Sequence, residues 1–136
     1  MTKTAFLFAG QGAQKLGMAR DLYDQYPIVK ETFDQASRVL GYDLRDLIDQ
    51  DEEKLNQTRY TQPAILTTSV AIYRLLVEKG LQPDMVAGLS LGEYSALVAA
   101  GSLDFEDAVA LIAKRGQFME TAAPAGTGKM VAVMNT

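Results

Sequence analysis

The sequence feature that most limits the fold is the pentad Gly88–Gly92 (GLSLG), which stands between a short apolar run and an apolar-rich stretch. Val86 and Ala87 are typical of the end of a buried strand, and the residues from Leu91 to Gly101 are typical of a helix that a glycine ends. Glycines on both sides of a serine allow a sharp turn and a close approach of strand and helix. The pentad therefore predicts a strand, a strained turn and a helix.

Two roles are open for Ser90 at this turn. The first is a nucleophile with an exposed hydroxyl, for which the amide of Leu91 at the helix N-terminus would stabilise an oxyanion. The second is a helix N-cap whose hydroxyl accepts a hydrogen bond from a free amide of the first helical turn. An isolated pentad favours the N-cap, whereas the flanking strand and helix pattern favours the nucleophile.

Composition indicates one soluble globular domain. The chain has 136 residues, of which 22% are charged, and a net charge of −4. The acidic balance argues against a nucleic-acid partner. No apolar run is long enough to span a membrane and no signal peptide is recognisable, so we expect a cytoplasmic protein. There is no cysteine, and no ligand pattern for a metal is found.

Histidine is absent from the sequence, and this limits the chemistry of Ser90. A serine hydroxyl needs an adjacent base that takes its proton. None of the five serines is followed by lysine three positions later, which excludes the Ser-x-x-Lys arrangement. Either another base serves, or the base that activates Ser90 lies on polypeptide outside these residues.

A second loop of interest follows the first apolar run. Thr4–Ala9 is typical of a buried parallel strand and leads into Gly10-Gln11-Gly12. Lys15 stands where a dinucleotide-binding fingerprint needs glycine, so that motif is rejected. The amide of Gln11 could be a second oxyanion donor at the end of a strand, or the loop could be an ordinary turn.

The remaining pattern is mostly helical, with a final strand at Gly128–Met134. A short helix is expected near Leu44, and its acidic neighbours suit a solvated helix start better than a calcium loop. Three strands are few for this many helices, so the chain looks cut inside a larger α/β protein. Pro27 is expected at the first position of its helix and Gly41 just past its end, and Asp104 is expected to be the N-cap of the last helix. The predicted long helices are Met18–Gln25, Pro27–Leu40, Gln62–Lys79 and Asp104–Ala122.

Two polar residues of these helices have alternative roles. Gln62 lies at the expected start of its helix and could face a cleft, but the pattern favours a surface cap. Arg115 lies at the edge of the apolar stripe of the last helix. The pattern favours an arginine with its head in water, and the alternative is a guanidinium that binds a carboxylate in a cleft.

Four motifs in this order resemble the malonyl-CoA:acyl carrier protein transacylase family. The resemblance spans nearly the whole chain and implies an incomplete α/β-hydrolase-like large subdomain over residues 1–126. Residues 127–136 would begin a small ferredoxin-like subdomain. The motifs are Phe8–Gln14 (FAGQGAQ), Thr61–Ala64 (TQPA), Gly88–Tyr94 (GLSLGEY) and Lys114–Gly116 (KRG).

The resemblance also implies roles for single residues. Ser90 would be the nucleophile, the amides of Gln11 and Leu91 the oxyanion hole, Arg115 the ligand of the malonyl carboxylate, and Gln62 part of the pocket. The family's general-base histidine would come from a later segment that these residues lack. Family members commonly have histidine directly before the nucleophile, where this chain has leucine.

The implied reaction moves a malonyl group from malonyl-CoA to the phosphopantetheine thiol of acyl carrier protein, through a malonyl-serine ester, in fatty acid biosynthesis. It needs no cofactor or metal. Two alternatives remain: a serine hydrolase or thioesterase with the same serine turn, and a non-catalytic fragment. A patatin-like Ser-Asp pair is disfavoured, since none of the ten aspartates precedes glycine.

Overall fold

The computed structural model describes residues 4–88 and 90–122 and has a mixed α/β architecture. The expected strand at Gly128–Met134, the small subdomain at 127–136 and the residue between Gly88 and Ser90 lie outside the described residues. The elements, in chain order, are β1 (Ala5–Phe8), α1 (Arg20–Gln25), α2 (Pro27–Leu40), α3 (Leu44–Gln50), α4 (Glu52–Leu55), α5 (Thr58–Glu78), β2 (Met85–Gly88), α6 (Leu91–Ala99) and α7 (Phe105–Ala122).

The two strands pair in parallel, with Ala5 opposite Met85 and Phe8 opposite Gly88. In parallel strands the carboxyl ends meet at one edge, so the loop after β1 and the turn after β2 lie side by side. This pairing brings the two sequence motifs with catalytic potential to the same edge of the sheet.

Helix α5 is the centre of the helical layer, as its apolar pattern predicts. It packs against α2, α6 and α7, and most side chains from Thr61 to Ala71 are buried. Phe33 of α2 and Ile112 of α7 are almost fully buried in the same core. Among the described helices, none is long and apolar enough to cross a membrane.

Several helix ends follow the sequence signals. Helix α2 begins at Pro27 and is followed by Gly41 in a left-handed conformation, with φ 83°. Asp104 accepts hydrogen bonds from the first amides of α7, as expected of an N-cap. Asp51 caps α4 in the same way, in agreement with a solvated helix start in this acidic stretch.

Two predicted helix starts are wrong. Helix α1 begins at Arg20 and not at Met18, because Gly17 and Ala19 have φ values of 73° and 61°, which a right-handed helix cannot include. Helix α5 begins at Thr58, one turn before the predicted start, and includes Pro63. Its early turn is stabilised by partners outside the helix, which the sequence pattern does not reveal.

The burial predicted for the strands is also wrong within the described structure. Phe6 and Phe8 are half-buried and point toward α5, where both rings contact the ring of Tyr73. Leu7 on the other face is 82% exposed and Met85 is 63% exposed. Among the described residues, helices cover only one face of the two strands, so a nearly continuous apolar run did not guarantee burial on both.

The contact between α6 and the strands needs glycine at two positions. A Cβ atom at Gly92 would overlap the carbonyl oxygen of Phe8, and one at Gly88 would overlap the carbonyl of Gly92. The backbones of β1, β2 and α6 therefore touch without intervening side chains. This contact fixes the start of α6 directly beside the loop that follows β1.

We expect Gly92→Ala to destabilise the protein, because the new methyl group would overlap the Phe8 carbonyl and push α6 away from the sheet. Overpacking of this kind costs about 1–3 kcal/mol. Urea unfolding followed by circular dichroism measures the change. Leu97→Ala, on the same helix but 45% exposed, is the control and should change stability much less. Equal losses in both variants would contradict the close-contact explanation.

Candidate active site

Ser90 lies in a strained turn between β2 and α6. Its φ of 54° and ψ of −111° are unfavourable for a residue with a side chain, and the residue is exposed. The Ser90 carbonyl accepts a hydrogen bond from the Glu93 amide, but its hydroxyl forms no capping bond to the helix. The interpretation of the Ser90 hydroxyl as an N-cap is therefore wrong, and the hydroxyl is free for another partner.

That partner is Arg115. One guanidinium nitrogen of Arg115, Nη2, donates to Ser90 Oγ at 3.1 Å, and the other, Nη1, donates to Gln62 Oε1 at 2.6 Å. Arg115 is half-buried, and its guanidinium faces the serine turn. The expectation that its head would lie in water is wrong, because Gln62 and Ser90 offer two acceptors at the right spacing for the guanidinium.

Gln62 is 1% exposed and lies inside the protein, so the predicted surface cap is also wrong. Its amide nitrogen donates to Gln11 Oε1 at 3.0 Å and contacts Met119 Sδ at 3.7 Å. The Gln62 side chain thus links the loop after β1 to the arginine of α7. The earlier start of α5 explains its burial, since Gln62 lies in the second turn of the helix and not at its tip.

The Gln11 side chain extends the same network, donating to Thr58 Oγ1 at 3.2 Å. The backbone amides of Gln11 and Leu91 both lie at the carboxyl edge of the strands. Neither has a hydrogen-bond acceptor among the described residues. Their role as an oxyanion hole stays a prediction.

Tyr94 is a site residue whose role the sequence did not reveal. The guanidinium carbon of Arg115 lies 5.4 Å from the centre of the Tyr94 ring, which is a cation–π arrangement. Tyr94 lies in the first turn of α6, four residues after Ser90, which precedes the helix. That spacing was the available signal.

The charge of Arg115 has no acid beside it in the described part of the chain. The ion pairs there involve Arg20, Arg45 and Arg59. The partners of Arg115 are an amide oxygen, a hydroxyl and an aromatic ring, all of them neutral. No group of acidic, histidine or cysteine residues that could hold a metal ion occurs in the described residues. The site is thus a cation held by neutral groups next to an exposed serine.

Comparison with known proteins supports the resemblance found in the motifs. A family model described as an acyl transferase domain matches residues 5–136. The chain is 56% identical to the malonyl CoA-acyl carrier protein transacylase of Escherichia coli K12, over 98% of this chain and 44% of that protein. The chain therefore spans less than half the length of such curated relatives.

Similarity to solved structures also supports this resemblance. The model resembles the crystal structure of MCAT from Streptococcus pneumoniae with 84% identity and a TM-score of 0.89, over 90% of this chain and 40% of that one. A second match is the malonyl-transacylase in the complex PlMCAT:AntF, which includes a type II PKS acyl-carrier protein. It has 53% identity and a TM-score of 0.88, over 92% of this chain and 41% of that one.

The family expected from the four motifs is thereby confirmed, as is the α/β class with part of a large subdomain. The matches cover almost all of the chain, and the described residues superimpose on acyltransferases at high identity. The chain belongs to the acyl transferase domain family.

Proposed function

We propose that this chain provides the nucleophile and the carboxylate-binding residue of a malonyl-CoA:acyl carrier protein transacylase. The observation that carries the proposal is the Arg115 guanidinium, which has only neutral partners among the described residues and lies 3.1 Å from Ser90 Oγ. A substrate with a carboxylate would supply the missing negative charge. The names of the relatives, which are malonyl CoA-acyl carrier protein transacylases, support this substrate class.

In the first half of the reaction, Ser90 Oγ attacks the thioester carbon of malonyl-CoA. A base takes the hydroxyl proton, and the amides of Gln11 and Leu91 stabilise the negative charge on the carbonyl oxygen. The carbon–sulfur bond then breaks, and coenzyme A leaves as a thiol after it receives the proton. The product on the protein is a malonyl-serine ester.

In the second half, the phosphopantetheine thiol of acyl carrier protein attacks this ester. Its proton passes through the same base to Ser90 Oγ, which restores the serine. The sequence has no histidine, so we infer that the base comes from polypeptide outside these residues. The relatives are more than twice as long as this chain, which leaves room for it. A cytoplasmic location and a place in fatty acid biosynthesis stay predictions.

The experiments below use a completed enzyme, defined as this chain followed by the remaining length of the Streptococcus pneumoniae relative. That relative is 84% identical over the shared part, so the contacts between the two parts are expected to form.

The chain without this addition should form the malonyl ester at a small fraction of the rate of the completed enzyme, because the serine lacks a base. Stopped incubations with radiolabelled malonyl-CoA measure ester formation and free malonate in both proteins. Equal rates would show that the base lies within these residues. Malonate release without transfer to acyl carrier protein would favour the hydrolase.

Ser90→Ala should abolish the malonyl ester in the completed enzyme, because the other residues of the pentad GLSLG have no side chain that can attack a thioester. Intact-protein mass spectrometry after incubation with malonyl-CoA detects the added malonyl group. Ser102→Ala, at an exposed turn after α6, is the control and should acylate normally. A malonyl group on the Ser90→Ala variant would mean that the nucleophile is another residue.

Arg115→Ala should lower kcat/KM for malonyl-CoA by at least about 30-fold, since loss of one partner from a charge pair in a partly dehydrated site costs about 2–5 kcal/mol. Acetyl-CoA has no carboxylate, so its transfer rate should hold or rise. Lys114→Ala changes an exposed neighbour and should alter neither rate. Equal losses on the two thioesters would assign Arg115 a structural role only.

A further inference from the structure

Helix α5 begins without a cap from its own sequence. Its N-cap residue, Gln57, makes no side-chain capping bond, and the first turn contains no acid. The carboxylate of Glu120, on α7, acts as the N-terminal cap of α5 instead. Its Oε1 accepts from the Arg59 backbone amide at 2.9 Å, and its Oε2 accepts from Arg59 Nε at 2.6 Å. One carboxylate thus binds both the backbone and the side chain of the second helical residue.

The two helices also touch at Gly116, one turn before Glu120. A Cβ atom there would lie 2.8 Å from the Cα of Arg59 and 3.1 Å from the carbonyl oxygen of Thr58. Helix α7 therefore crosses the first turn of α5 by direct backbone contact. Such a contact sets the distance between the helices. The polar groups around it then limit how far one helix can rotate or slide against the other.

Two polar links flank this contact, and both join α7 to α5. Glu120 binds Arg59 on one side, and Arg115, the residue before Gly116, binds Gln62 at 2.6 Å on the other. Arg59 and Gln62 are three residues apart and so lie on one face of α5. A slide or rotation of α7 that breaks the first link would displace the second.

The Glu120–Arg59 link is ionic at neutral pH. Burial alone would raise the pKa of the Glu120 carboxyl, but the bonds from the amide and guanidinium of Arg59 outweigh it and hold that pKa below its usual value. Glu120 is only partly exposed, at 22%, whereas Arg59 is 43% exposed. An ion pair that is open to solvent on the Arg59 side contributes modestly to stability, and its place beside the helix crossing suits a role in positioning.

We propose that Glu120 is a positioning residue for substrate selection: by binding Arg59 it fixes how α7 crosses α5, and so holds the Arg115 guanidinium between Gln62 and Ser90. This inference rests on the function proposed above, in which Arg115 binds the malonyl carboxylate. It predicts that loss of Glu120 weakens the preference for malonyl over acetyl thioesters, although the described structure has no hydrogen bond or ion pair from Glu120 to Arg115 or Ser90.

The test measures kcat/KM for malonyl-CoA and acetyl-CoA in the completed enzyme. Glu120→Ala should lower the malonyl-to-acetyl ratio by about three- to tenfold, the usual size of such indirect coupling. Glu120→Gln keeps an oxygen for the Arg59 amide but loses the charge, and its ratio should lie between those of Glu120→Ala and the unmodified enzyme. Asp24→Ala removes the exposed Arg20–Asp24 pair on α1 and should leave the ratio unchanged.

A double-mutant comparison separates positioning from general damage. If Glu120 acts through Arg115, adding Glu120→Ala to Arg115→Ala should change the ratio by less than about twofold. If Glu120→Ala lowers the malonyl-to-acetyl ratio three- to tenfold both in the unmodified enzyme and in the Arg115→Ala variant, the inference is overturned. Equal losses of kcat/KM for the two thioesters in Glu120→Ala would also overturn it. If Glu120→Ala does not fold, an unchanged ratio in Glu120→Gln would overturn it.

Arg115→Ala alone tests the proposed function. A ratio that is unchanged in this variant would reject carboxylate binding by Arg115, and with it the positioning role of Glu120. If the malonyl-to-acetyl ratio falls in Arg115→Ala but is unaltered in both Glu120 variants, only the positioning role is rejected.

Discussion

The site depends on one backbone contact, in which the start of α6 lies against the end of β1. Gly92 meets the Phe8 carbonyl without a side chain between them, and the sharp turn at Ser90 follows from this closeness. Strand pairing on one side and helix packing on the other fix both ends of this turn, and such surroundings can maintain a strained φ like that of Ser90. The exposed position of Ser90 is thus a consequence of how tightly strand and helix pack.

The second determinant is the charge of Arg115. A cation near the protein interior is usually paired with an acid, because leaving it unpaired is costly. Here the described residues provide only an amide oxygen, a hydroxyl and the Tyr94 ring, each of which stabilises the cation without neutralising it. The arrangement holds the guanidinium in place and keeps its charge for a ligand. Under the function proposed above, this charge would distinguish a carboxylate-bearing acyl group from a neutral one of similar size.

The sequence predicted those features that depend on neighbouring residues. The strand, turn and helix around Ser90, the glycine that ends α2 and the Asp104 cap of α7 were all found where expected. The pattern favoured the wrong environments for Gln62 and Arg115, because their surroundings consist of groups from distant segments. Spacing along one helix shows which face a residue occupies. It does not show whether another helix places a hydrogen-bond acceptor opposite that residue.

The wrong start of α5 has the same origin as the wrong environment of Gln62. The sequence pattern, with few charges and a mostly apolar surface, predicted a buried helix with Gln62 at its polar N-terminal tip. In the structure the preceding turn is helical because the Gln57 carbonyl accepts from the amides of Tyr60 and Thr61, and because Glu120 binds the Arg59 amide from α7. These contacts move Gln62 from the helix tip into the interior, where it reaches Arg115. The contacts that extend the helix therefore also place Gln62 in the site, which is why local propensity gave both a wrong helix start and a wrong environment for Gln62.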